Sequence, residues 1–142
     1  MDNAAFQLKS YRFGKITIDI DSISGEESID MNLGFKTSGL YDETTGDFRL
    51  KFQFSAKTPK GEEVVDVVCS ALFKFAEPIA KQDIPDFFYP NSIAIIFPYV
   101  RAMVSTITLM ANIRPLVLPT MNLSSLRDEL KTNTETIGHN EE

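Results

Sequence analysis

The feature that most constrains the fold is a strict alternation of apolar and polar residues in "DFRLKFQFSAK", residues 47–57. Its apolar positions are Phe48, Leu50, Phe52, Phe54 and Ala56. A period of two is what a strand with one buried face produces. Residues 28–36 ("SIDMNLGFK") and 63–75 ("EVVDVVCSALFKF") alternate in the same way. The chain is therefore predicted to form a sheet that is covered on one face.

Turn residues separate these segments. Asp42 and Gly46 supply turn geometry in "YDETTGD", and Pro59 and Gly61 do so in "TPKGEE". A further strand near the N-terminus is less regular because its apolar phase breaks near Gly14, and a β-bulge at that point would restore the phase. The first half of the chain is therefore predicted to be four antiparallel strands.

The second half changes to the period of a helix. Apolar residues recur at intervals of three and four, at Ile93, Phe97, Val100, Val104, Ile107 and Ala111. Proline is tolerated in the first turn of a helix and costly in its interior. The main helix is therefore predicted to start near Phe97, with residues 91–96 as a kinked extension. Pro98 and Arg101 leave the apolar run short of the roughly 20 residues of a membrane helix, so no membrane insertion is expected.

The remaining segments predict a loop, a short helix and a tail. Pro115 and Pro119 exclude regular helix in the apolar segment "NIRPLVLPTMN", which is therefore expected to cover another apolar surface. Asn122 is a suitable N-cap for a short amphipathic helix. The sequence predicts an α+β domain over residues 1–131, with a four-stranded antiparallel sheet, one long helix and one short C-terminal helix. Residues 132–142 are predicted to be a disordered acidic tail.

Composition limits the function. The formal charge of −6 argues against nucleic-acid binding and favours a basic partner surface. A single cysteine, Cys69, and the absence of a basic, apolar leader favour the cytoplasm. The one histidine, His139, lies in the tail, and no metal-ligand or phosphate-binding motif is present, so neither catalysis nor a cofactor is expected. A small-ligand-binding or hydrolytic α+β protein remains the alternative of another class.

Two runs resemble the bacterial SecB protein-export chaperones: "YPNSIAIIFPYVRAMVSTI" and "PLVLPTMNLSSL". Members of that family carry Pro-Asn before an apolar run that ends in Phe-Pro-Tyr-x-Arg, followed later by a Leu-x-Leu-Pro segment. The matching residues are Pro90, Asn91, Phe97, Pro98, Tyr99, Arg101, Ser105, Pro115, Leu116, Leu118 and Asn122. The match covers residues 90–126. Ala111 and Asn112 depart from it, because family members often have Arg-Gly there.

The resemblance implies an assembly. SecB-like proteins are homotetramers, dimers of dimers, whose long helices pack between dimers and whose sheets extend across protomers. On this pattern Pro98 starts the central assembly helix. The interface residues implied are Pro98, Tyr99, Arg101, Val104 and Ile107.

The resemblance also implies a function, an ATP-independent holdase that binds unfolded polypeptides and keeps preproteins translocation-competent for Sec export. A SecB-like chaperone dedicated to the antitoxin of a toxin–antitoxin system is the alternative. The client-binding candidates are Phe35, Tyr41, Phe48, Leu116, Leu118, Met121, Leu123 and Leu126, for several of which a plain core role is equally compatible. Asp19 and Asp66 stand at acidic positions that dock the export motor SecA, and Lys15 reverses the charge of a third.

Overall fold

The computed structural model describes residues 5–21, 31–119 and 124–137. The strands are β1 (Phe6–Ile18), β2 (Asn32–Asp42), β3 (Asp47–Lys57), β4 (Glu63–Phe75) and β5 (Thr134–Ile137). The helices are α1 (Phe88–Met110) and α2 (Ser124–Thr132), with a short 3₁₀ helix at Lys81–Asp83. The four long strands pair antiparallel in the order β1-β4-β3-β2. The predicted α+β architecture is therefore confirmed.

A fifth strand extends the sheet beyond the prediction. β5 pairs in parallel with the second half of β2, from Gly39 to Asp42. Thr134 is buried, and its hydroxyl donates to the Leu130 carbonyl at 2.6 Å, which ties the strand to the end of α2. The prediction of disorder is therefore wrong for residues 134–137. It was based on composition, which carries no information about whether a strand edge is available for pairing. Residues 138–142 lie outside the described part of the chain.

The turns and the irregular first strand follow the sequence. Asp42 Oδ1 accepts hydrogen bonds from the backbone N–H groups of Thr44 and Thr45, and Gly46 closes the turn at φ 80°. In β1 the register shifts twice, between Leu8 and Ser10 and between Phe13 and Lys15. The second shift is the bulge predicted at Gly14. Because each bulge moves the alternation by one residue, all the large apolar residues of β1 face one side: Phe6, Leu8, Tyr11, Phe13, Ile16 and Ile18.

Helix α1 is one continuous element, and the predicted start near Phe97 is wrong. The helix begins at Phe88, so Pro90 rather than Pro98 lies in its first turn, and Pro98 lies inside it. Proline in a helix interior frees the carbonyl four residues earlier, here that of Ala94. Both Ala94 and Pro98 are exposed. The freed carbonyl therefore remains accessible to water, and the helix is not interrupted.

The C-terminus of α1 is closed by the chain's one described non-glycine residue in the left-handed region. Asn112 has φ 65°. Its N–H donates to the Leu109 carbonyl, and the N–H of Ile113 donates to the Thr108 carbonyl, which is the hydrogen-bond pattern of a Schellman motif. Asparagine tolerates this conformation better than most residues. Asn112 can therefore replace the glycine that SecB-like sequences often have here.

Both helices pack on one side of the sheet, which we call the inner face. The core between them contains Tyr41, Phe48, Phe52, Phe54, Phe73, Phe75, Phe88, Ile93, Ile96 and Val100, all at most 2% exposed. Leu126 and Leu130 of α2 are buried against β2 and α1. No described helix packs on the opposite side, the outer face.

Candidate functional site: an apolar groove and an apolar helix face

Partly buried apolar side chains of β2, α1 and the loop after α1 lie on the inner face. Leu33 and Phe35 lie on the inward side of β2, and Phe97 approaches them from α1, with ring centroids of Phe35 and Phe97 6.4 Å apart. Leu116 lies on the loop that follows α1. All four of these side chains are only partly buried although they pack against the core. We call these four residues the apolar groove.

The loop that carries Leu116 is fixed to α1 by side-chain hydrogen bonds. The Leu116 N–H donates to Thr108 Oγ1 at 2.9 Å, and Ser105 Oγ donates to the Leu116 carbonyl at 3.1 Å. Thr108 lies three turns beyond Phe97, which places both residues on one side of the helix. Leu118 then enters the core and is fully buried. This apolar loop therefore covers the side of α1 next to the groove, as the sequence predicts.

The predicted client-binding residues divide into three groups. Phe35 and Leu116 belong to the apolar groove and are partly exposed. Four others have core positions in this structure: Tyr41, Phe48, Leu118 and Leu126. Met121 and Leu123 lie outside the described residues.

Tyr41 shows why sequence reasoning overestimated the binding surface. Its hydroxyl donates to the Ile79 carbonyl at 2.7 Å and accepts from the Ile79 N–H at 3.1 Å. Burial raises the pKa of this phenol, so the hydroxyl stays protonated. The side chain therefore fastens the segment before α1 to the sheet and is not available to a client.

The second unusual surface is the side of α1 that faces away from the sheet. Large apolar residues are exposed here and on the adjoining edge strand: Tyr11, Ile16, Ile95, Tyr99, Leu109 and Met110. Tyr99 stacks on Tyr11 with ring centroids 4.2 Å apart, which joins the two elements. We call these six residues the apolar helix face. Large exposed apolar side chains are enriched at protein–protein interfaces, so this side of α1 is a candidate interface.

The length of α1 also bears on the membrane prediction. The helix has 23 residues and a mean hydropathy of 1.7 over its most apolar window, with 28% of that window buried. By length and composition it could cross a membrane, so the expectation that the apolar run is too short is wrong. Its sheet-facing side, from Tyr89 to Val104, is nonetheless packed into the core. A core helix accounts for that packing without a membrane.

The predicted interface residues are only partly available. Pro98, Tyr99 and Arg101 are exposed and Ile107 is partly buried. Val104 is fully buried against the sheet, so it cannot contact a second chain in this conformation. The helix period alone did not distinguish the side of α1 that faces the sheet from the side that faces outward.

The two predicted SecA-docking carboxylates have different environments. Asp19 is exposed, whereas Asp66 is 2% exposed on β4. Asp66 Oδ2 pairs with Lys15 Nζ at 2.7 Å, and Gln53 Nε2 donates to its Oδ1 at 2.9 Å. Burial opposes ionisation of this carboxyl, but the hydrogen bonds from Gln53 and Lys15 outweigh it and hold the Asp66 pKa below its ordinary value. Asp66 is therefore engaged within the chain.

Replacing Asp66 with asparagine is expected to lower the free energy of unfolding by about 1.5 kcal/mol at pH 7, because Gln53 and Lys15 lose a charged acceptor. Since the folded-state pKa is depressed, this contribution is present above the ordinary value of 3.8 and is lost as pH falls through the folded-state pKa. Urea titrations at pH 7, 5, 4 and 3 measure it. The exposed Asp19→Asn variant is the control. If the difference in unfolding free energy between the unmodified protein and Asp66→Asn does not narrow at low pH, the depressed pKa of Asp66 is contradicted.

The described residues include few groups of the kinds that bind metals or act as nucleophiles. They contain no group of three or more His, Cys, Asp or Glu that could hold a metal ion. Burial raises the pKa of the Cys69 thiol to about 11, so the thiolate needed for nucleophilic attack is scarce at neutral pH. His139 lies outside the described residues.

Two groups of residues were missed from the sequence. The sequence places Leu33 in the apolar set of its strand and Phe97 in that of the helix, but it does not predict that both stay partly exposed near Phe35. The signal was available in principle, since Leu33 shares the alternating phase of Phe35. The second group lies on the outer face and is described below.

Two solved structures resemble this fold. A SecB-like chaperone of Mycobacterium tuberculosis, Rv1957 in complex with a ChAD peptide from the Rv1956 HigA1 antitoxin, matches with a TM-score of 0.67 and 17% identity, over 83% of this chain and 92% of that chain. A Streptococcus agalactiae protein of unknown function matches with a TM-score of 0.50 and 12% identity, over 82% of this chain and 98% of that one. The fold of this chain is therefore that of a SecB-like protein.

The sequence comparison is more specific. The family model of the preprotein translocase subunit SecB matches residues 19–133, and this chain belongs to the SecB family. The uncharacterized protein MJ0357 of Methanocaldococcus jannaschii is 53% identical over 49 residues, which is 32% of this chain. That match spans about a third of the relative, 32% of its length.

Proposed function

We propose that this protein is a cytoplasmic, ATP-independent holdase that binds unfolded polypeptides and keeps preproteins competent for Sec export. The observation that carries the proposal is the apolar groove, which leaves Leu33, Phe35, Phe97 and Leu116 partly exposed in a chain of the SecB family. Aromatic and leucine side chains can accept many different apolar residues, and an unfolded chain presents such residues.

The backbone of β2 beside the groove supports binding of an extended client. β5 covers only the second half of this strand edge, from Gly39 onward. The backbone of Thr37 is already hydrogen-bonded, since its N–H donates to Glu129 Oε2 of α2 and its carbonyl accepts from Nδ2 of Asn133, the residue after α2. In the described part of the chain no further strand pairs with β2 before Thr37. A client strand can therefore add at this edge while its side chains enter the groove.

A dedicated antitoxin client is the second candidate. Rv1957, which shares this fold, is bound to an antitoxin peptide. In this chain Asp66 is buried and paired with Lys15, so one of the two acidic positions proposed to dock SecA is not exposed. That pairing favours a client-specific role over delivery to SecA, whereas the groove serves either role.

Replacing Leu116 with serine is expected to raise the Kd for a permanently unfolded client at least fivefold, because one apolar contact of about 1 kcal/mol is lost. Isothermal titration with a reduced, carboxymethylated protein measures this, and the native form of that protein should not bind. Val117→Ser is the matched control, since Val117 is in the same loop and 59% exposed. Leu118→Ser is unsuitable because Leu118 is fully buried and its loss would destabilise the fold.

Two outcomes would overturn the proposal. Equal affinities of the Leu116→Ser variant and the unmodified protein would remove the groove from client binding. Failure of the unmodified protein to bind any unfolded chain would remove the holdase function itself.

A further inference from the structure

The outer face of the sheet is basic although the chain as a whole is acidic. Outward-facing strand positions carry half of the chain's 14 Lys and Arg residues: Arg12, Lys15, Lys36, Arg49, Lys51, Lys57 and Lys74. Of the 20 Asp and Glu residues, the same face carries Asp42, Asp47, Glu63, Asp66 and Glu135. The formal charge of the whole chain is −6. The outer face is therefore opposite in sign to the rest of the molecule.

The middle of this face is a shallow trough of about 750 Å³. Two rows of side chains cross it from β1 to β2, as the strand register shows. One row is Ser10, Leu72, Arg49 and Leu40. The neighbouring row is Arg12, Ser70, Lys51 and Ser38. Glu135 of β5 closes one end.

Three cations in the trough have no ion-pair partner among the residues that the structure describes. Lys15 and Lys74, at the margins of the face, are paired with Asp66 and Asp47. By contrast, Arg12, Arg49 and Lys51 form no ion pair with any described residue. Arg12 and Lys51 flank Ser70 from opposite sides, so their Cα atoms are about 10 Å apart. Neighbouring strands therefore present three positive charges in one small area, none of them paired within the described part of the chain.

The dimensions and chemistry of the trough suit a short extended acidic segment. Crossing the four strands from β1 to β2 at about 4.8 Å spacing gives a length of about 14 Å, which an extended chain covers with about four residues. Leu40 and Leu72 offer apolar contact between the cations, and Ser10, Ser38 and Ser70 offer hydroxyl groups. A long polyanion such as nucleic acid would be repelled by the net negative charge outside this face.

We propose that the outer-face trough docks an extended acidic segment of a partner protein, with carboxylates on Arg12, Arg49 and Lys51 and an apolar side chain on Leu40 or Leu72. This surface lies on the side of the sheet opposite the apolar groove, so the proposal does not depend on client binding. The total charge of the chain favours a basic partner. The outer face has the opposite sign, so the partner proposed for this face is acidic.

The test uses the full chain and the acidic dodecapeptide EDLEEDLEEDLE-NH2, labelled with fluorescein at its N-terminus, in an anisotropy titration at 50 and 300 mM NaCl. Arg49→Glu/Lys51→Glu should raise the Kd at least tenfold, and higher salt should weaken binding to the unmodified protein. The matched control is Lys9→Glu/Lys60→Glu, which makes the same charge change at exposed positions outside the trough. The control should retain the original Kd within twofold, and unfolded-client binding should be unchanged in both variants.

Three results would overturn the proposal. The acidic peptide does not bind the unmodified protein, or it binds the Arg49→Glu/Lys51→Glu variant equally well. Alternatively, a labelled dT12 oligonucleotide binds as tightly as the peptide with the same dependence on Arg49 and Lys51, which would make the trough a nucleic-acid surface. Since the client titration is independent, failure here leaves the holdase proposal intact.

Discussion

Replacing Phe88 with alanine is expected to lower the free energy of unfolding by about 4 kcal/mol, the typical cost of removing a fully buried phenyl ring. Phe88 is 0% exposed and occupies the first position of α1. Its ring centroid lies 4.7 Å from that of Phe6, 4.7 Å from that of Phe48 and 4.9 Å from that of Phe75. One side chain therefore joins the helix start to β1, β3 and β4.

Urea denaturation followed by circular dichroism, at one fixed protein concentration, measures this loss. Phe87→Ala is the matched control, because Phe87 precedes it directly and is 48% exposed. The control should lose less than about 1 kcal/mol, as surface substitutions usually do. Similar losses in the two variants would show that α1 is not anchored through Phe88.

The sheet could be predicted from the sequence because its signal is local. In β3 each inward residue is apolar and each outward residue is polar, so one strand alone reveals its buried face. The bulge at Gly14 was predictable for the same reason, since a break in phase is visible in the residues that surround it. The neighbours β2-β3-β4 required only short turns, and both turns contain glycine at positive φ. The pairing of β1 with β4 joins strands that are far apart in sequence, so no turn predicts it.

The start of α1 was not predictable by the same means. Local rules place proline at a helix start, and they assign Pro98 that role. The structure tolerates Pro98 inside the helix because tertiary packing of Phe88, Tyr89 and Ile93 stabilises the turns that precede it. Packing against a sheet is a long-range effect, and it outweighs the cost of one lost hydrogen bond.

Only some residues of the candidate site could be predicted from the sequence, for a related reason. Alternation identifies which side of a strand faces the helices, but it does not say how far the helices cover that side. Phe48 and Phe35 both face inward, yet Phe48 lies under the start of α1 and is buried, whereas Phe35 lies beside Phe97 and is partly exposed. The candidate binding surface is the part of the inner face that the helices do not cover.

The apolar helix face is a second apolar surface that remains uncovered. One helix layer cannot cover both margins of the sheet, so Tyr11 and Ile16 of the edge strand are exposed beside Ile95, Tyr99 and Leu109. Surface of this kind is stabilised when a second chain covers it. We propose that it is the interface of a homotetramer, with the exposed residues Pro98 and Arg101 at its centre and margin.

Introducing Asp at both Ile95 and Leu109 is expected to reduce the assembly from four chains to dimers or monomers. The two side chains are 38% and 61% exposed, so the isolated fold should tolerate the change. In an interface each carboxylate would lose its hydration, at a cost of several kcal/mol per ion. Light scattering should give about four times 15.9 kDa for the unmodified protein and for the control Gln82→Asp/Ser125→Asp, whose positions are exposed elsewhere. A monomeric unmodified protein, or a double variant of undiminished mass with native circular dichroism, would show that α1 does not form the interface.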